Sequence, residues 1–168
     1  FWVRPGAFYF DYIDFRSLGI LWSLMAIMQG LKCNGVFEAI GWKLLEKTRK
    51  VGELVAVLVF LCFFTAMFIT NDVALITFVP FTVMMLINCR KEELMIPVIV
   101  LQTIAANLGS MLTPIGNPQN LYLYGLSGLS IREFLLYMLP FSAVSAVLLL
   151  AALALIRGKE QKIRAGEH

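Results

Sequence analysis

Charge is scarce in this sequence. Asp, Glu, Lys and Arg supply 15% of 168 residues, against 60% apolar residues. A soluble domain runs nearer a quarter charged and half apolar, so that class is excluded. Histidine is scarcer still: the one copy, His168, lies on a polar tail and offers no catalytic or metal-binding set. Cys33, Cys62 and Cys89 show no C-x-x-C spacing, which excludes a zinc module and a disulfide framework; they read as reduced packing residues. A net charge of +3 with no basic, aromatic-studded face excludes a nucleic-acid partner. Asp72 is the one acid within the spanning regions, so an aspartyl intramembrane protease would lack its second carboxylate. With no nucleophile–base pair either, neither an enzyme nor a cofactor is expected. No signal sequence opens the chain and no initiator Met is present, so a fragment of a longer protein is expected.

What the sequence does have is long apolar runs, and these predict an all-α polytopic membrane protein. Residues 15–31 predict a transmembrane helix. Residues 36–50 alternate apolar and charged positions around Trp42, as suits a helix lying in the membrane interface. The run 54–87 is interrupted by Thr70-Asn71-Asp72. As one helix it would measure about 50 Å, against a hydrocarbon core of about 30 Å. Each half is about 24 Å, so the chain must turn at or near 70–72, and a re-entrant hairpin is expected. Residues 95–124 predict a transmembrane helix broken at 113–120, where two prolines and a glycine fall within eight residues. Residues 134–156 form the cleanest spanning helix, and 157–168 a basic cytoplasmic tail.

Basic residues set the orientation. Lys32, Lys43, Lys47, Arg49, Lys50, Arg90, Lys91, Arg157, Lys159, Lys162 and Arg164 fall on one side, eleven of fourteen, leaving Arg4, Arg16 and Arg132 opposite. That asymmetry obeys the positive-inside rule whether the hairpin re-enters or crosses twice.

Unpaired backbone groups are costly in hydrocarbon, so a helix break persists only where protein or a cavity surrounds it. Discontinuous helices are where transporters bind substrate and ion. At the first break Asn71 and Asp72 are expected to cap a helix beginning at Val73, their oxygens and nearby carbonyls suiting a hard cation such as sodium. The plain alternative is a surface turn. The second, 113–120, brings a hydroxyl, two Asn amides, a Gln amide and flexible backbone together, with Gly116 allowing close approach; the plain alternative is a proline kink or loop. Gln102 and Asn107 read as interhelical hydrogen-bond glue.

Thr-Asn-Asp-Val-Ala-Leu-Ile-Thr-Phe-Val-Pro at 70–80 resembles the hairpin-tip motif of the ion transporter superfamily, which includes divalent anion/sodium symporters, citrate transporter-like permeases and arsenite permeases. Ala-Asn-Leu-Gly-Ser-Met-Leu-Thr-Pro-Ile-Gly-Asn-Pro-Gln-Asn-Leu at 106–121 is similar to the unwound helix that follows that hairpin. The resemblance implies half of an inverted-repeat transporter in the cell membrane, a homodimer whose second repeat lies elsewhere in its own chain. It implies a small anionic substrate and a sodium or proton as coupling ion. It assigns Thr70, Asn71, Asp72, Thr113, Pro114, Gly116 and Asn117 to the site, with sodium at Thr70, Asn71, Asp72 and Gly116. The symporters read Ser-Asn-Thr where this chain reads Thr-Asn-Asp, and a carboxylate there disfavours an anion unless a cation or proton neutralises it. Sodium/proton antiport through Asp72 and a non-transporting membrane scaffold are the alternatives.

Overall fold

The computed structural model describes residues 13–35, 39, 43 and 50–165. The interfacial helix expected over 36–50 therefore lies, but for isolated positions, outside the described residues, as does His168. Described are α1 (Phe15–Cys33), α2 (Val51–Thr65), α3 (Asn71–Asn88), α4 (Met95–Ser110), α5 (Pro118–Ser127) and α6 (Ile131–Ala165), with a 3-10 turn at Glu92–Leu94 leading into α4. No strand occurs among the described residues, so the all-α expectation holds. The α6 backbone stays helical to Ala165, through most of the stretch read as a basic tail.

Among the described residues, three stretches are long and apolar enough to cross a bilayer: Asn71–Asn88, Glu92–Ser110 and Ile131–Leu155. The apolar part of α1, Leu18–Leu31, is shorter, and so is α2. The interrupted run is a helical hairpin of unequal arms. At 18 residues, α3 is about 27 Å long by its rise, more than half the apolar run allowed it. The turn between the arms occupies 66–70, slightly earlier than expected. There Ala66 N–H donates to the Cys62 carbonyl and Ile69 N–H to the Thr65 carbonyl, satisfying groups the end of α2 leaves free.

α4 lies along the hairpin, packing most extensively on α2 and next on α3, and α6 leans on α4. Val55, Val59 and Phe63 of α2 meet Val98, Leu101 and Ala105 of α4 and Leu149 and Leu153 of α6 in one buried cluster. Nearer the turn, Leu61, Cys62, Ala66 and Ile69 meet Ala74, Phe78 and Ala106. All three cysteines are free: Cys62 is a buried packing residue, whereas Cys33, the last residue of α1, and Cys89, just past the end of α3, are exposed. Large apolar side chains such as Trp22, Phe68, Ile96 and Leu155 face outward, as lipid contact requires.

Helix ends are closed locally. α6 begins three residues earlier than its apolar run because Ser130 and Glu133 form a capping box: Glu133 Oε2 accepts from Ser130 N at 2.9 Å, and Ser130 Oγ from Glu133 N at 3.3 Å. α3 ends in a paired-carbonyl turn, with Lys91 N donating to Leu86 O and Arg90 N to Ile87 O, both 2.9 Å. The residue this turn holds in the left-handed region is Arg90, at φ 53°. Glycine adopts that conformation without a Cβ clash. Arg90→Gly is expected to raise the unfolding free energy by about 0.5–1 kcal/mol, read as a higher melting temperature.

Candidate functional site

The hairpin tip is built by its cap. Thr70 is extended, at φ −67° and ψ 149°, and its Oγ1 accepts from Val73 N at 3.4 Å. The cap is thus Thr70, not Asn71 or Asp72 as the sequence suggested. A threonine hydroxyl reaches the third N–H of the following turn just as an Asp or Asn oxygen would. Asn71 and Asp72 become the first helical residues of α3. The Asn71 side chain turns inward, whereas Asp72 is exposed and makes no hydrogen bond or ion pair among the described residues.

The second break runs over 111–117, between α4 and α5. Pro118 opens α5 where its missing N–H has no intrahelical partner to lose. Asn117 caps that helix, its Oδ1 accepting from Asn120 N at 2.8 Å while its Nδ2 donates to Ser110 Oγ at 3.2 Å. Asn120 closes the other side. Its Nδ2 donates to the carbonyls of Met111 at 2.9 Å, Thr113 at 3.2 Å and Ser110 at 3.4 Å, which the end of α4 leaves open. Pro114 and Gly116 are buried. Gly116 lies so close to the Ser110 carbonyl that a Cβ there would collide with it.

Tip and break meet. Asn71 N donates to Gly116 O at 3.1 Å, and Asn71 Nδ2 to Asn107 Oδ1 at 3.0 Å. Thr113 Oγ1 donates to the Met67 carbonyl. The N-terminal ends of α3 and α5, positive by their aligned peptide dipoles, therefore converge on one place. The carbonyl-rich ends of α2 and α4 adjoin them. Such a meeting can serve an anion at the first pair of ends and a cation at the second. One acceptor there is unused: Asn71 Oδ1 is enclosed and takes no hydrogen bond.

The structure thus brings together Thr70, Asn71, Gly116, Thr113 and Asn117 across 42 to 47 residues of sequence, with Pro114 buried in the break. Several spend their polar groups internally. The Thr113 hydroxyl donates to backbone, and the Asn117 amide bonds Asn120 N and Ser110 Oγ, because an opened helix must first satisfy its own polar groups. Sequence reasoning passed over Ser110, the last residue of α4, and took Asn120 only as one of the amides of the break, not as the group that closes the end of α4. It gave Asn107 as glue between helices, which it is, but its partner is the tip residue itself.

The family model described as citrate transporter matches residues 2–167. The inner membrane protein YbiR of Escherichia coli is 35% identical over 158 residues, covering 92% of this chain and 41% of that protein. An uncharacterised transporter of Methanocaldococcus jannaschii is 33% identical over 134 residues, covering 79% and 37%. The silicon efflux transporter LSI3 of Oryza sativa is 30% identical over 128 residues, covering 76% and 26%. The chain therefore spans about two fifths or less of these relatives' lengths. No solved structure matches it significantly. With a family model matched from residue 2 to residue 167, over the hairpin, the break and every described helix, this integral membrane chain belongs to the citrate transporter family.

Proposed function

We propose that the chain forms one half of an ion-coupled secondary transporter that carries a small anion, a di- or tricarboxylate or an oxyanion, across the cell membrane. The observation that carries this reading is the three-bond junction of hairpin tip and helix break, with Asn71 Oδ1 left without a donor. A buried unsatisfied acceptor costs about 1–3 kcal/mol, and a bound cation removes that cost. Sodium at the tip would take Asn71 Oδ1, with Asp72 supplying charge and Thr70 and Gly116 the second lone pairs of oxygens already hydrogen-bonded once. It would offset Asp72 and so open the α3 and α5 N-termini to an anion, which makes ion and substrate binding mutually reinforcing. On this reading the hairpin re-enters the membrane, and the transporter works as a homodimer whose second repeat completes the site. The proton is the other candidate coupling ion. Citrate, from the family's description, and silicon, from the rice relative's name, are the substrates to try first.

A second reading rests on Asp72, the one charged residue in tip and break, exposed and unpaired among the described residues. It could itself exchange a proton for sodium. Uptake of radiolabelled citrate, succinate and sulfate, and of silicic acid, into proteoliposomes of the full-length protein decides between them. The expected result is uptake driven by a sodium or proton gradient and abolished by Asn71→Ala. Sodium-driven proton movement without anion uptake, lost in Asp72→Asn, would favour antiport. Wild-type liposomes that move neither would leave a scaffold role.

A further inference from the structure

We infer that Asn107 is a positioning residue that fixes which way round the Asn71 amide lies, and so makes the hairpin tip an acceptor of cations. Three groups stand in line, the Thr103 carbonyl, the Asn107 amide and the Asn71 amide. The Thr103 carbonyl can only accept, and it accepts from Asn107 Nδ2 at 2.8 Å. The Asn107 amide is thereby held with Oδ1 turned away from its own helix, toward the hairpin. Only an N–H can meet that oxygen, and Asn71 Nδ2 does so at 3.0 Å. Turned the other way, Asn71 would set oxygen against oxygen. Its Oδ1 is consequently pointed off Asn107, enclosed, and without any donor. The Thr103 carbonyl thus sets the polarity of an atom on another helix.

The ligand chemistry follows from that polarity. An acceptor without a donor repels an anion and suits a hard cation of the sodium kind. Without Asn107 the Asn71 amide is free to turn over and present N–H instead, and cation binding loses its oxygen. The inference rests on the proposed cation at the tip, and its test separates the two.

The full-length protein, purified in detergent, is melted across a sodium chloride series with choline chloride holding ionic strength constant. Wild type is expected to gain melting temperature along a saturating curve. Asn107→Leu, which leaves Asn71 unconstrained, is expected to raise the sodium midpoint about 10- to 100-fold, the usual cost of losing a group that orients a ligand. Its melting temperature in choline should stay near wild type. Asn107→Asp still offers an oxygen to Asn71 Nδ2 and should keep the wild-type midpoint or lower it. Asn107→Ala replaces the leucine variant should that one not fold. A leucine or alanine variant with the wild-type midpoint overturns the inference and leaves the cation reading standing. So does an aspartate variant as weak as leucine. A wild type indifferent to sodium overturns the cation reading, and the role of Asn107 with it.

Discussion

Gly116→Ala is expected to abolish gradient-driven uptake while leaving the hairpin and α4 folded. The glycine is needed for approach: its φ is not in the left-handed region, which among the described glycines holds only Gly35 and Gly128. A Cβ at 116 would collide with the Ser110 carbonyl, and all its nearest neighbours are Ser110 backbone atoms. Backbone at the end of a packed helix cannot rotate aside as a side-chain tip would. Ser110 is itself held, 1% exposed, with its hydroxyl bonded to Asn107 O and to Asn117. The strain must therefore lift the 111–117 loop. Its first casualty is the bond from Asn71 N to Gly116 O. Overpacking of this kind costs about 1–3 kcal/mol, and the lost hydrogen bond about 1 kcal/mol more. Both costs fall on the junction, not on the buried clusters of α2, α4 and α6. The variant should keep its helical circular dichroism and lose its sodium-dependent stabilisation together with uptake. Wild-type uptake by Gly116→Ala would show that the loop does not bear on α4 in the working protein.

Much of this site can be read in the sequence because membranes penalise interruptions. Thr70-Asn71-Asp72 and 113–120 stand out against apolar flanks, and a broken helix in hydrocarbon needs a reason. Gln102 is equally legible as glue: fully buried, it donates from Nε2 to the Leu58 carbonyl at 3.2 Å and to Thr82 Oγ1 at 2.7 Å, tying α4 to both hairpin arms. Which residue caps α3 was not legible, since Thr, Asn and Asp stand in a row and each can cap. Nor was the division of labour within the break. Thr113 and Asn117 read simply as site residues in one dimension; in three they also hold the break together through Met67 O, Asn120 N and Ser110 Oγ. The pairing of Asn71 with Asn107 bridges 36 residues and depends on where the loop at 89–94 sets α3 against α4. No periodicity encodes that. The length of α3 is hidden for a plainer reason: capped by Thr70, it starts two residues before its apolar stretch begins, and it runs one residue past that stretch where Arg90 and Lys91 take up its last carbonyls.

The second large effect belongs to the frame beneath the site. Gly109→Ala is expected to destabilise the whole protein by about 3 kcal/mol, the upper end of overpacking costs, with sodium present or absent. Gly109 is buried on α4 where that helix crosses α2, and a Cβ there would run into the carbonyl of Phe63. Here too the obstacle is backbone, but of a different kind. Phe63 lies inside α2, 2% exposed, and its ring packs in the cluster that joins α2, α4 and α6. No loop is available to lift. Relief requires the two helices to separate along the most extensive contact in the fold, opening the packing around Val59, Ala105 and Leu101. Close backbone approach at a small residue is how membrane helices associate when lipid is as apolar as they are. The two glycine variants should therefore part company in the melting experiment. Gly116→Ala melts near wild type in choline and fails to respond to sodium. Gly109→Ala melts low in both, and any fraction still folded should respond to sodium with a near-normal midpoint, because the junction above the crossing is unaltered. A Gly109→Ala protein of wild-type melting temperature would mean that α2 and α4 do not touch through their backbones. A folded Gly109→Ala protein without a sodium response would mean instead that this crossing sets the tip directly.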